Sequence, residues 1–271
     1  MPYVDVNGVS LWYEEYGSAD GAPLPPLVVL HGGFGSGEMF QPLIERGVGA
    51  GRRVLAVDLQ GHGRTPDAAG REMSAEAMAD DLAGLVKHLG LAAVDVLGYS
   101  LGAAAALRLA IQHPTLVRRA VLISVPVRNE DWYPEVRAQM ELMSEESAGM
   151  LRQSPMYELY ERIAPRVEDW PVVVGKVAEM IKRPYDWSGE IAGITAAVLL
   201  VFADADSVAP VRAAEFFALL GGGQGDPGPD GSGRPACQLA VLPGATHYDL
   251  MESPLLPAAV RGFLDGATTE A

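Results

Sequence analysis

Six short apolar runs recur along the chain: Leu27-Val28-Val29-Leu30, Val54-Leu55-Ala56-Val57, Val94 to Leu97, Arg119 to Ser124, Ala197 to Phe202 and Gln238 to Leu242. Most are continuous rather than alternating, the pattern of strands buried on both faces of a parallel sheet. Ahead of them, Tyr3 to Asn7 and Ser10 to Tyr16 flank Asn7-Gly8, which predicts an antiparallel hairpin. Helical patterns fill the intervals. Glu38 to Val48 reads as a helix, and Ser74 caps another with Met78, Leu82, Leu85, Val86 and Leu89 on one face. The small-residue run Ala103 to Ala110, then Pro210 to Leu220 and Pro254 to Leu264, complete the helices. Strand and helix in alternation predict a parallel sheet covered on both sides.

The alternation stops between residues 128 and 195, where no comparable strand appears and Pro134, Pro155, Pro165, Pro171 and Pro184 punctuate a mostly helical pattern. This divides the chain into a core from residues 1–127 and 196–271, interrupted by a helical segment over 128–195. Trp132, Trp170, Trp187, Met140, Met143, Met150, Met156 and Met180 all lie in that segment, as its own core or as the lining of an apolar pocket. Gly17 to Pro26 and Gly221 to Pro235 read as loops.

Composition narrows the function classes. Of 271 residues 49% are apolar, enough for a sizeable core, and the formal net charge of −15 argues against nucleic acid and anionic membranes as partners. Cys237 stands alone, so no intramolecular disulfide can form, which fits a reducing compartment. The chain opens in strand-like sequence without a leader pattern, and no apolar run approaches the ~20 residues of a membrane span. A cytoplasmic location is expected. No closely spaced metal-ligand set and no dinucleotide fingerprint occur, so neither metal nor cofactor is expected.

The chemistry converges on Gly98-Tyr99-Ser100-Leu101-Gly102, a G-x-S-x-G motif between a buried strand and a helix with no room for a loop. A strand that turns straight into a helix forces the central serine into a strained conformation with its hydroxyl exposed. A Cβ at Gly98 or Gly102 would clash where the arms of the turn meet. A serine hydroxyl needs a base, and the base needs a carboxylate to fix its tautomer. Of the histidines, His88 and His113 fall at helix ends, His31 and His62 lie in glycine-rich turns, and His247 follows the last strand in Pro243-Gly244-Ala245-Thr246-His247. Asp204 and Asp206 follow the strand that ends at Phe202.

Taken with His31-Gly32-Gly33-Phe34-Gly35 after the third strand and Asp58-Leu59-Gln60-Gly61-His62-Gly63-Arg64-Thr65 after the fourth, these motifs resemble the α/β-hydrolase family over nearly the whole chain. The resemblance implies an α/β fold with a mostly parallel, doubly wound sheet and an inserted helical cap over the active site. It implies a triad of Ser100, Asp206 and His247. Asp206 follows from the family's G-x-x-D pattern, in which Ala203 here takes the glycine place and Asp204 is left to cap the turn. It also implies an oxyanion hole made by the backbone N–H of Leu101 and that of Gly33 or Phe34, with His31, Asp58 and His62 in architectural roles. The expected activity is hydrolysis of a small-to-medium apolar carboxylic ester through an acyl-enzyme. Lactone hydrolysis, C–C bond hydrolysis, cofactor-free perhydrolysis and a slow-turnover ligand sensor are the alternatives on the same residues.

Overall fold

The computed structural model describes residues 3–17 and 24–266. Its strands are β1 (Tyr3–Val6), β2 (Val9–Tyr16), β3 (Leu27–Leu30), β4 (Val54–Asp58), β5 (Val94–Tyr99), β6 (Val117–Ile123), β7 (Ala197–Ala205) and β8 (Gln238–Thr246). They form one eight-stranded sheet in the order β1-β2-β4-β3-β5-β6-β7-β8. β1 pairs antiparallel with β2 in the expected hairpin about Asn7-Gly8, and β2 pairs antiparallel with β4. All later pairings are parallel.

The helices are α1 (Gln41–Glu45), α2 (Ala75–His88), α3 (Leu101–Gln112), α4 (Pro134–Leu142), α5 (Ala148–Leu151), α6 (Pro155–Ile163), α7 (Trp170–Lys182), α8 (Pro210–Leu219) and α9 (Leu256–Asp265). The two-residue period of a strand splits each apolar run between two layers. Val28 and Leu30 of β3, with Leu55, Val57, Val96 and Leu122, pack on α2 and α3. Leu27 and Val29, with Val54, Ala56, Leu97 and Val121, face α1 and α9. Burial on both sides is why these runs read as continuous rather than alternating. The Ser74 hydroxyl accepts the Ala77 N–H at 3.0 Å, capping α2 as its sequence indicates.

Three local expectations are corrected. The helix expected over Glu38 to Val48 is a 3₁₀ turn at Gly37–Phe40 followed by the five-residue α1, because the chain then reverses through Gly47, Gly49 and Gly51 at φ +87°, +84° and +75°. β8 does not stop at Leu242 but passes through Pro243-Gly244 to Thr246, across an irregularity in its pairing with β7 between Ala203 and Ala205. The closing helix begins at Leu256 rather than Pro254, after a short turn at Leu250–Glu252. The loop expected over Gly17 to Pro26 lies mostly outside the described residues, and residues 221–235 carry no regular element.

Between β6 and β7 the chain builds α4 to α7 and no strand. Trp170 is fully buried there, with Tyr157 and Tyr160 against its ring at centroid distances of 5.3 and 5.0 Å. Phe34, from the loop after β3, meets the same indole at 5.3 Å, so the insertion and the sheet share one core. Lys176 of α7 donates to the Asp67 carboxylate at 2.6 Å and to the Ala68 and Arg71 carbonyls, fastening the insertion beside α2. Among the described residues no helix is long and apolar enough to cross a membrane.

Candidate active site

The motifs that carry the candidate chemistry lie at the carboxyl ends of the parallel strands. Ser100 is the single residue between β5 and α3, with φ +51° and ψ −113°. A Cβ on Gly98 would run into the Gly102 carbonyl, the clash between the two arms of the turn. The one on Gly102 would instead strike the Leu30 carbonyl of β3, so that glycine is required by the neighbouring strand. With both arms held close, the Ser100 side chain stands above the sheet at the N-terminus of α3, where the helix dipole favours negative charge.

The hydroxyl of Ser100 lies 3.1 Å from His247 Nε2. His247 Nδ1 is 3.1 Å from Asp206 Oδ1. A carboxylate only accepts, so the Nδ1 proton points at Asp206 and the Nε2 lone pair is left for the serine proton. Asp206 is well supplied with donors. Oδ1 also accepts the Ser207 N–H at 2.7 Å, and Oδ2 accepts the Ala203 N–H at 3.0 Å and the Ser124 hydroxyl at 2.5 Å. Burial alone pushes this carboxyl up; the bonds from His247, Ser124 and Ala203 outweigh it and hold the group below the ordinary aspartate value.

Asp204 does not reach His247. It accepts the Ala245 N–H at 3.3 Å, bracing the end of β8 that carries the histidine. The turn beyond is held by Asp249, which accepts both the N–H and the hydroxyl of Thr246. Two supporting residues had no signal in the sequence. The Tyr99 hydroxyl donates to the His247 carbonyl at 2.5 Å, and Ser124 reaches Asp206 from the end of β6. A serine after a buried strand is unremarkable by itself; only the adjacency of β6 and β7 gives it a partner.

The glycine-rich turns have internal roles. His31 is fully buried, donates from Nδ1 to the Gly32 carbonyl at 2.7 Å and accepts the Leu59 N–H on Nε2 at 3.0 Å. Burial lowers its pKa to about 4, so the ring is neutral. Asp58 accepts the N–H groups of Gly37 and Arg64, both at 2.7 Å, and burial raises its pKa to about 6. His62 is buried beside His31; burial and then the His31 neighbour lower its pKa to about 3. His88 is exposed, and His113 pairs with Asp80 at 2.8 Å.

A family model described as the alpha/beta hydrolase fold matches residues 25–153. Over 99% of both chains the structure is similar to MGS-M2, an alpha/beta hydrolase enzyme from a Medee basin deep-sea metagenome library, at a TM-score of 0.76 and 18% identity. The chain has the α/β-hydrolase fold. Its sequence relatives are similar over shorter stretches. The sn-1-specific diacylglycerol lipase ABHD11 of Mus musculus is 43% identical over 112 residues, 41% of this chain and 36% of that protein. The magnesium-chelatase 30 kDa subunit of Rhodobacter capsulatus is 38% identical over 109 residues, 40% of this chain and 37% of that protein. The chain therefore spans well under half the length of these curated relatives.

In this α/β-hydrolase fold a cavity of about 370 Å³ opens between the strand ends and the helical insertion, bordered by Gly33, Phe34, Ser100, Leu101 and His247. That is near the lower end of the about 300–1,000 Å³ usual for small-molecule sites. The insertion's aromatic and methionine side chains sort into three groups. Trp132, Trp187, Met140, Met143 and Met180 line the cavity, Trp170 is core, and Met150 and Met156 are exposed. Gly33 has open space where a Cβ would stand, and Phe34 holds φ +58°. Among the described residues no group of three or more His, Cys, Asp or Glu side chains is placed to hold a metal ion.

Proposed function

We propose that the protein is a serine hydrolase that cleaves small-to-medium carboxylic esters with an apolar acyl part, residues 128–195 acting as the cap. One observation carries this reading: the hydrogen-bonded line Ser100–His247–Asp206 ends at a mainly apolar cavity. Relatives named as a lipase and an α/β hydrolase enzyme support the reaction class.

The chemistry follows from the atoms. Ser100 Oγ attacks the ester carbonyl carbon while its proton passes to His247 Nε2, and the carbonyl π pair moves to oxygen. The oxyanion lies against the N–H of Leu101, the first residue of α3, and that of Gly33 or Phe34. Each such donor contributes about 3 kcal/mol to the transition state. As the tetrahedral intermediate collapses, the C–O bond to the alcohol breaks and His247 protonates the departing oxygen. Water then gives a proton to His247 and attacks the acyl carbon, and collapse returns the proton to Ser100 with release of the acid. Asp206, kept ionised by its donors, holds the Nδ1 tautomer and stabilises the imidazolium. No cofactor enters any step. The substrate is a small molecule rather than nucleic acid or a membrane surface, and the lone buried Cys237 fits a cytoplasmic setting.

Steady-state hydrolysis of p-nitrophenyl esters of increasing acyl length, with Ser100→Ala alongside, tests the reading. Sustained turnover with a preferred chain length is expected, falling by about 10³-fold or more in the variant. A single serine-dependent burst without turnover would point to the slow ligand sensor, and undiminished activity in Ser100→Ala would remove the assignment.

A further inference from the structure

Three aromatic rings lie against His247. The centroids of Tyr99, Trp132 and Tyr248 are 5.5, 5.6 and 5.5 Å from that of the imidazole. Tyr99 does not border the cavity. Its hydroxyl is spent on the His247 carbonyl, and the groove of about 340 Å³ that it borders touches neither Ser100 nor His247. Trp132 and Tyr248 both border the cavity, with planes at 73° and 78° to the imidazole. The backbone of each is tied to a turn that carries the candidate triad. Trp132 is bridged to Val208, two residues beyond Asp206, and the Tyr133 N–H donates to the Ser207 carbonyl at 3.1 Å. Tyr248 follows the candidate base in a turn where its N–H donates to Thr246 Oγ1 at 3.2 Å and the Thr246 hydroxyl donates to Asp249 at 2.8 Å. The Tyr248 side of the cavity faces solvent, since this residue is 74% exposed.

The reaction itself assigns one half of an ester to this place. The proton on His247 Nε2 must pass to the alcohol oxygen, which therefore lies within hydrogen-bond reach of that atom. The oxyanion and the acyl carbon take other directions about the tetrahedral centre. Whatever the alcohol oxygen carries thus starts beside the imidazole, where Trp132 and Tyr248 are the cavity-bordering rings in contact with it. A planar ring there can meet them edge-to-face or in offset stacking. A saturated ring of the same size gains the burial but not the ring–ring attraction, which is worth about two- to tenfold.

We propose that Trp132 and Tyr248 form the subsite for the alcohol half, so that the preferred esters carry a neutral aromatic ring on that half, as a benzyl ester does. The inference rests on the ester-hydrolase reading and narrows its substrate class.

The test compares benzyl butanoate with cyclohexylmethyl butanoate, which share the acyl group and have leaving alcohols of similar basicity, in the wild type, Tyr248→Phe and Tyr248→Leu. The quantity read is kcat/KM, which covers the steps through release of the alcohol. The wild type is expected to favour the benzyl ester by about threefold or more. Tyr248→Phe should keep that ratio, and Tyr248→Leu should at least halve it. The ratio of benzyl hexanoate to benzyl butanoate should be the same in all three proteins. A wild-type ratio near one, an unchanged ratio in Tyr248→Leu, or its loss in Tyr248→Phe overturns the subsite while Ser100-dependent turnover leaves the hydrolase reading standing. A shift in acyl preference in place of the alcohol preference would put the acyl half against Tyr248 and overturn it equally. No hydrolysis of these esters by the wild type, or hydrolysis by Ser100→Ala at the wild-type rate, would overturn the ester reading and the subsite with it.

Discussion

The two ends of the parallel sheet are built on opposite principles. At the carboxyl ends of three neighbouring strands, β3, β5 and β6, Phe34, Ser100 and Ser124 hold φ of +58°, +51° and +52°. Such conformations cost roughly 1–3 kcal/mol each for residues other than glycine. At the amino ends buried charge is paired instead, although Asp95 Oδ1 and the Nε atoms of Arg52, Arg118 and Arg119 have no hydrogen-bond partner among the described residues. Asp95 takes Arg52 and Arg118 on one carboxylate oxygen, both at 2.5 Å, and Arg52 and Arg119 donate onward to the carbonyls that end α9. Those carbonyls have no partner within their helix, so the arginines complete it and staple it to the sheet. One end holds strained residues that present chemistry; the other holds matched charges that present none. The contrast teaches that stability and reactivity sit in different layers of the same strands.

The largest separation should come from Ser100→Ala. Ester turnover is expected to fall by about 10³-fold or more while the urea midpoint stays close to wild type, since alanine keeps the backbone strain and removes only the hydroxyl. At the opposite end, Asp95→Ala takes the carboxylate away from the buried Arg52, leaving it only the more exposed Asp265, and from the half-buried Arg118. A loss of about 3–5 kcal/mol in unfolding free energy is expected, with kcat/KM of the remaining folded protein unchanged. If Asp95→Ala lowered kcat/KM without lowering stability, the division between the two ends would not hold.

Ser124→Ala sharpens the contrast within the carboxyl end. Removing the 2.5 Å donor to Asp206 should cost about tenfold in kcat/KM. The Asp206 carboxyl should also rise toward its ordinary value. Because its folded pKa is depressed, its contribution to stability is present above about pH 4 and lost as pH falls. Acid unfolding should therefore begin at higher pH in the variant, read by circular dichroism.

The smallest expected effect concerns His31. Its folded pKa of about 4 lies below the ordinary value of 6.5, so between those values the unfolded chain takes up a proton that the folded chain refuses. The stability it contributes is intact above about pH 6.5 and drains away toward pH 4. Replacing it in His31→Gln should flatten the pH dependence by about 1.4 kcal/mol per pH unit across pH 5 to 6. An unchanged slope in urea titrations would show that the ring already carries charge in the folded state.

What the sequence made legible follows from how local each signal is. The central parallel strands could be read because burial on both faces writes itself as a continuous run. The turn at Ser100 could be read because its geometry is confined to five residues. His247 and Asp206 follow strands whose ends are marked in the chain. Ser124 and Tyr99 could not be found this way, since their partners lie 82 and 148 residues away and depend on strand order. Pro243-Gly244 looks like a stop, yet β8 absorbs it through the irregular pairing with β7. The Glu38 to Val48 pattern misled because glycines spaced two apart end α1 before its apolar face matters. In the insertion, periodicity does not separate Trp170, which is core, from Trp132, which borders the cavity.

The central claim is that Ser100 is a nucleophile activated by His247. Its most direct test is intact-mass and peptide mass spectrometry after exposure to a fluorophosphonate, in the wild type, Ser100→Ala and His247→Ala. One adduct per chain, mapped to Ser100, absent from Ser100→Ala and formed far more slowly in His247→Ala, is the predicted result. Equal labelling in all three proteins, or an adduct on another residue, would contradict it.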